Sequence, residues 1–126
     1  LDGLLLRGDG TGRFTLLTIL QSGIFINGDG KTLAKLRGTH NEYLLVSTQN
    51  RGPVLVFKSK QQKKLIPVEP SGVYAIIDLG NGKKQKIEFN YGSSFRSQGG
   101  RFLTLPQHLK SCAIVNGQGV IRNISL

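Results

Sequence analysis

Cysteine occurs once, histidine twice and acidic side chains seven times in a chain of 126 residues. Each scarcity removes a class of chemistry. The lone Cys112 has no second cysteine in the chain with which to form a disulfide. It stands in the strand-like Ser111-Cys112-Ala113-Ile114-Val115, where a thiol is expected to be buried and inert rather than nucleophilic. His40 and His108 lie far apart and, with one cysteine, offer no metal-ligand spacing, so neither a metal nor a cofactor is expected. No apolar run approaches the roughly 20 residues needed to cross a bilayer. The longest, Leu16-Leu17-Thr18-Ile19-Leu20 and Val73-Tyr74-Ala75-Ile76-Ile77, are only strand-sized. No signal peptide is visible, because Leu4-Leu5-Leu6 is short and follows no cationic segment. Position 1 is not Met, which suggests a longer chain, so the missing signal says nothing about secretion.

What is abundant is glycine, at 17 residues, most of it between apolar runs. Turns are therefore frequent. Hydrophobic residues at 38% suffice for a real core in one domain, or in one small domain plus part of a neighbour. Lys and Arg total 17, for a net charge of +10. That charge permits nucleic acid, acidic glycans or an anionic surface as partner without choosing among them.

Along the chain, short β-rich runs alternate with turn clusters. Gly8-Asp9-Gly10-Thr11-Gly12 is a turn, followed by a strand candidate over 13–20. Its Gly-x-Gly-x-Gly string is not a phosphate loop, since no Lys-Ser/Thr follows and a strand rather than a helix comes next. Asn27-Gly28-Asp29-Gly30-Lys31 is a second turn cluster. Neither Asp9 nor Asp29 has another acidic residue in its loop, so neither loop reads as a calcium site. Strands are expected over 33–37, 43–48 and 54–58, the last two forming the clearest hairpin of the first half. Residues 58–64, Lys-Ser-Lys-Gln-Gln-Lys-Lys, are cationic without an apolar anchor and read as a linker. It divides a segment 1–60 from a segment 61–126.

The second part begins with an extended run at 65–68, where Pro67 argues for an edge. A strand over 73–79 meets 84–89 through Asn81-Gly82, a pair suited to the positive φ of tight hairpin turns. In 84–89, Gln85, Ile87 and Phe89 face one way and Lys84, Lys86 and Glu88 the other. Strands over 102–105 and 112–115 follow, and 120–124 closes a last hairpin. About nine or ten short strands and no ten-residue helical period make an all-β chain. It should consist of antiparallel hairpins, with a propeller-blade-like first half and a small sandwich- or barrel-like second half.

Residues 88–102 stand apart. Phe89, Tyr91, Phe95 and Phe102 and two arginines sit among Gly, Ser and Gln that build no core. Tyr91, Phe95, Arg96, Gln98 and Arg101 are the candidate contacts to a glycan or protein, because aromatics anchor interfaces and Arg and Gln donate hydrogen bonds. The alternative is that Tyr91 and Phe95 are core plugs and the Gly-Ser run merely turns the chain. Lys60, Lys63, Lys64, Lys83, Lys84 and Lys86 are the candidate anion contacts. A single-strand nucleic-acid binder would also combine positive charge with aromatics, but these lysines fall into separate groups and aromatics are only 7%. Ser93, Ser94 and Ser97 could be nucleophiles only with a base such as His108 and a carboxylate such as Asp78 or Glu88, and no elbow motif surrounds them. An enzyme is not expected.

Two stretches resemble known families. Gly8-Asp9-Gly10-Thr11-Gly12-Arg13-Phe14, with residues 22–57, resembles the closing part of an FG-GAP/VCBS-type β-propeller. The family's Asp-rich calcium loop would fall at 36–42, where the sequence reads Leu-Arg-Gly-Thr-His-Asn-Glu. The resemblance therefore implies no calcium here. Residues 75–124 resemble the ASPIC/UnbV-type segment of secreted bacterial and cartilage acidic protein-like chains. The matching motifs are Asn81-Gly82-Lys83, Lys86-Ile87-Glu88, Tyr91-Gly92-Ser93-Ser94-Phe95, Ser97-Gln98, Arg101-Phe102-Leu103 and Asn116-Gly117-Gln118-Gly119. The resemblance implies a non-catalytic binding or assembly module outside the cytoplasm: extracellular, periplasmic or at the cell surface. A single blade cannot close a propeller of about 4–8 blades, so the rest of a longer chain is an expected partner.

Overall fold

A computed structural model describes residues 3–61, 63–92 and 99–126. The described residues are almost entirely antiparallel β-structure: β1 Leu5–Gly8, β2 Phe14–Leu17, β3 Asp29–Arg37, β4 Tyr43–Asn50, β5 Leu55–Lys58, β6 Lys64–Pro67, β7 Gly72–Asp78, β8 Lys84–Glu88, β9 Phe102–Leu105, β10 Ser111–Asn116 and β11 Ile121–Asn123. They form four sheets: β1-β2, β3-β4-β5, β6-β9 and β11-β10-β7-β8. No strand before residue 60 pairs with one after it, and the described strands close no barrel.

The second half holds the core. Its inward rows follow from register. Cys112 lies opposite Ile77, and Ile114 opposite Ala75, which in turn faces Ile87. Leu103 and Leu105 of β9, with Val68 after β6, pack against those rows. Side chains of adjacent strands thus interdigitate between the four-stranded sheet and the β6-β9 pair, as in a two-layer sandwich. The expected alternation in β8 holds at Ile87 and Phe89, which pack against the core, with Lys84, Lys86 and Glu88 exposed; Gln85, expected on the inward face, is exposed at the start of the strand. Pro67 ends β6, whose only partner among the described strands is β9, so its missing N–H costs the ladder nothing. Cys112 is buried, and desolvation raises its thiol pKa. Its reaction with a disulfide reagent at pH 8 should therefore track global unfolding. Labelling as fast as that of a free thiol in native buffer would contradict this placement.

Four local differences from the sequence reading have physical causes. Residues 13–20 are not one strand, because β2 stops at Leu17 and Thr18 caps a single helical turn, α1 Ile19–Ser22. The Thr18 N–H donates to Gln21 Oε1 (2.9 Å) and the Gln21 N–H to Thr18 Oγ1 (3.3 Å). Gly23 closes the turn at φ 69°. This capping box, with glycine after the turn, outweighs the β-propensity of Thr18-Ile19. Second, β3 starts at Asp29 instead of 33, because a bulge between Gly30 and Thr32 absorbs Lys31. Third, the β7-β8 turn takes its positive φ at Gly80 (79°) and Gly82 (76°). Asn81 contributes its side chain instead, accepting the Lys83 N–H at 3.1 Å. Fourth, the cationic linker is shorter than expected, since Lys58 ends β5 and Lys64 begins β6.

Candidate interaction surfaces

Tyr91 and Arg101, on either side of residues 93–98, are held by hydrogen bonds within the chain. The Arg101 guanidinium donates through Nη1 to the carbonyls of Glu69 (3.1 Å) and Pro70 (3.0 Å). Through Nη2 it donates to those of Gly72 and Phe89. Its Cζ lies 4.2 Å from the Tyr91 ring centroid. Arg101 is thus a clasp between the β6-β7 turn and the chain leaving β8. A planar fork is suited to gathering several carbonyls that no strand satisfies. Tyr91 is no core plug: it is 60% exposed and its hydroxyl donates to the Pro70 carbonyl at 2.8 Å. Phe95, Arg96 and Gln98, with Ser93, Ser94 and Ser97, lie outside the described residues.

The six lysines do not form one patch. Lys60 and Lys63 line a cleft beside Tyr43. Lys64 Nζ donates to the Ser125 carbonyl at 2.7 Å. Lys83 and Lys84 are exposed at the β7-β8 turn. Lys86 pairs with Glu88 at 2.9 Å and sits 4.6 Å over the Tyr74 ring, and its hydrogen bond to Glu88 raises its pKa. Among the described residues no group of three His, Cys, Asp or Glu gathers at one point, and no helix is long and apolar enough to cross a membrane.

The surface that sequence reasoning missed is the β3-β4-β5 sheet itself. Register places Leu33, Ser47 and Leu55 in one row and Lys35, Leu45 and Phe57 in another row of the same face. The opposite face carries Ala34, Val46 and Val56, then Leu36 and Leu44. Apolar side chains therefore populate both faces. In the second half, by contrast, Ala75, Ile77, Leu103, Leu105, Cys112 and Ile114 are all buried. In the β3-β4-β5 sheet Ser47 is the only buried residue, and Val56 is 59% exposed. Among the described residues, Phe102 packs against Tyr43 and Lys35 on one face, while Leu36 and Val56 stay exposed on the other.

The N-terminal hairpin repeats the pattern. Leu6 pairs with Leu16, and Gly8 with Phe14. By alternation Leu4, Leu6, Phe14 and Leu16 share one face. All four are exposed, Leu4 at 71% and Phe14 at 68%. A recess of about 820 Å³ lies between this region and the sheet, reached by Leu4, Ile26, Leu33 and Ser47. Such runs of exposed large apolar residues mark contact surfaces rather than ordinary solvent faces. The signal was present as Leu-Leu-Val and Val-Leu-Val-Phe runs too continuous for a strand with one wet side.

The halves touch along one seam. The Gly100 N–H donates to the Lys35 carbonyl at 2.8 Å. The Tyr43 and Phe102 rings meet edge-on at 6.1 Å, and Lys35 Nζ lies 4.9 Å over the Phe102 ring. Burial there lowers the Lys35 pKa and raises that of Tyr43.

No family model, curated protein or solved structure matches the chain. The FG-GAP/VCBS and ASPIC/UnbV resemblances rest on the quoted motifs.

Proposed function

We propose that the chain is a non-catalytic binding or assembly module of a larger extracytoplasmic protein, and that its first half docks between protein layers. The observation that carries this reading is the β3-β4-β5 sheet, apolar on both faces, with Ser47 its only fully buried residue and Leu36 and Val56 exposed on the face away from Phe102. A sheet with two apolar faces is stable only between two layers, which is how a blade sits in a propeller. The FG-GAP/VCBS resemblance points the same way, and the flanking layers would then be neighbouring blades. The +10 charge adds a preference for an acidic partner surface.

The test uses Leu36→Lys with Val56→Lys, both on the same exposed face. The wild-type chain should self-associate and bind an apolar dye, and the double variant should lose both properties. Its unfolding midpoint should hardly move, because substitutions at exposed positions stay within about 0.5 kcal/mol. A wild-type chain that is monodisperse and dye-silent, with a variant that unfolds, would show the face to be internal and end this reading.

A second reading, a polyanion-binding β domain, is favoured by the net charge. It predicts retention on a polyanion that fades at modest salt without base preference.

A further inference from the structure

Beside the seam, the loop between β3 and β4 and the chain leaving β5 enclose a cleft of about 820 Å³, a size that suits a small ligand. His40, Glu42, Tyr43, Lys58, Lys60 and Lys63 line it. We propose that this cleft binds an acidic saccharide, gripping its sulfate or carboxylate groups with Lys60 and Lys63. The inference rests on the cleft alone and does not depend on how the sheet faces are covered.

Charge comes first. Three lysines face one carboxylate, and that carboxylate is already engaged. Glu42 Oε2 accepts the His40 N–H at 2.8 Å, and Lys58 Nζ stands 3.6 Å from Oε1. The backbone N–H of Glu42 itself, then that of His40, and the charge of Lys58 hold its carboxyl below the usual range. Glu42 therefore stays ionised and occupies Lys58, while Lys60 and Lys63 have no carboxylate partner among the described residues. Both are exposed at the rim of the cleft, where their ammonium groups are open to an external anion.

The floor comes second. Tyr43 is half-buried, with the Phe102 ring against it at an interplanar angle of 78° and Lys63 Nζ 6.0 Å from its centroid. A ring held in this way offers a fixed apolar surface next to cations. A sugar presents C–H groups to an aromatic side chain and hydroxyls to the polar rim, where Ser59 and Gln61 lie. A bare phosphate would leave the ring unused. A nucleic-acid strand would want several stacking aromatics in a row, and the cleft has one.

The experiment titrates the whole chain calorimetrically with a sulfated disaccharide, its desulfated counterpart, a galacturonate disaccharide, inorganic sulfate and a charge-matched oligothymidylate. Lys60→Ala/Lys63→Ala is compared with Lys83→Ala/Lys84→Ala, the same loss of charge on the β7-β8 turn. The sulfated or the uronate sugar should bind, and the better of the two names the anionic group. Removing Lys60 and Lys63 should weaken it about tenfold or more, as loss of two charge-assisted contacts implies. Removing Lys83 and Lys84 should leave it within about twofold, since neither lines the cleft and exposed charges are screened by salt. The desulfated sugar and inorganic sulfate should bind much more weakly. Equal losses in both double variants, an oligothymidylate bound as tightly as the acidic sugar, or no binding of either acidic sugar would overturn the proposal.

Discussion

Arg101→Ala lowers the stability of the second half by about 3 kcal/mol, and its thermal midpoint by about 10 °C. The guanidinium serves the carbonyls of Glu69, Pro70, Gly72 and Phe89, and it lies over Tyr91. Hydrogen bonds from a charged donor contribute about 1.5–3 kcal/mol each when intact. Partial access to water reduces the sum, and some of the freed carbonyls regain solvent. Arg101→Lys should recover less than half of the loss, because an ammonium cannot reach carbonyls on both sides of a planar fork. Calorimetric melting of the three proteins checks this. A midpoint for Arg101→Ala within 2 °C or so of wild type would mean that the clasp contributes nothing, and Arg101 would return to the candidate contacts.

Leu105→Ala should cost about 2–5 kcal/mol, whereas Val56→Ala should cost less than about 1 kcal/mol. Leu105 is completely buried between β9 and the four-stranded sheet, and Val56 is 59% exposed on β5. Both residues are aliphatic and lie within strands, so the contrast isolates burial. Truncation at Leu105 removes transfer free energy and leaves a cavity in a close-packed layer. At Val56 more than half of the residue already meets solvent, so truncation removes little buried surface. Chemical denaturation gives both values from midpoints at constant slope. Comparable losses at the two positions would show that the first half has a core of its own.

The local architecture was readable from residue order. Hairpins β4-β5, β7-β8 and β10-β11 join runs adjacent in sequence, and their turn residues announce them. In the last, Asn116 Oδ1 accepts from the Gln118 and Val120 N–H groups, and Gly119 turns at φ 80°. The pairings β6-β9 and β7-β10 were not readable. Each closes a loop of more than thirty residues, and no local pattern encodes which distant edge a strand meets. The Arg101 clasp was not readable for the same reason: the carbonyls it gathers lie mainly at residues 69–72, a turn remote in sequence. Composition could not show that the buried apolar residues would all gather in 65–115 and that Ser47 would be the one fully buried residue described in the first half. Leu44, Leu45 and Val46 look like core residues until register shows that they point to both sides of one thin sheet.

The account turns on that incompletely covered sheet, and amide hydrogen exchange of the chain in solution tests it most directly. The account predicts that peptides from β3, β4 and β5 exchange far faster than those from β7, β9 and β10, since a sheet with few buried apolar side chains unfolds locally at little cost. Equal protection across the two halves would contradict it, because the first half would then be a finished structure with no faces left for a partner to cover.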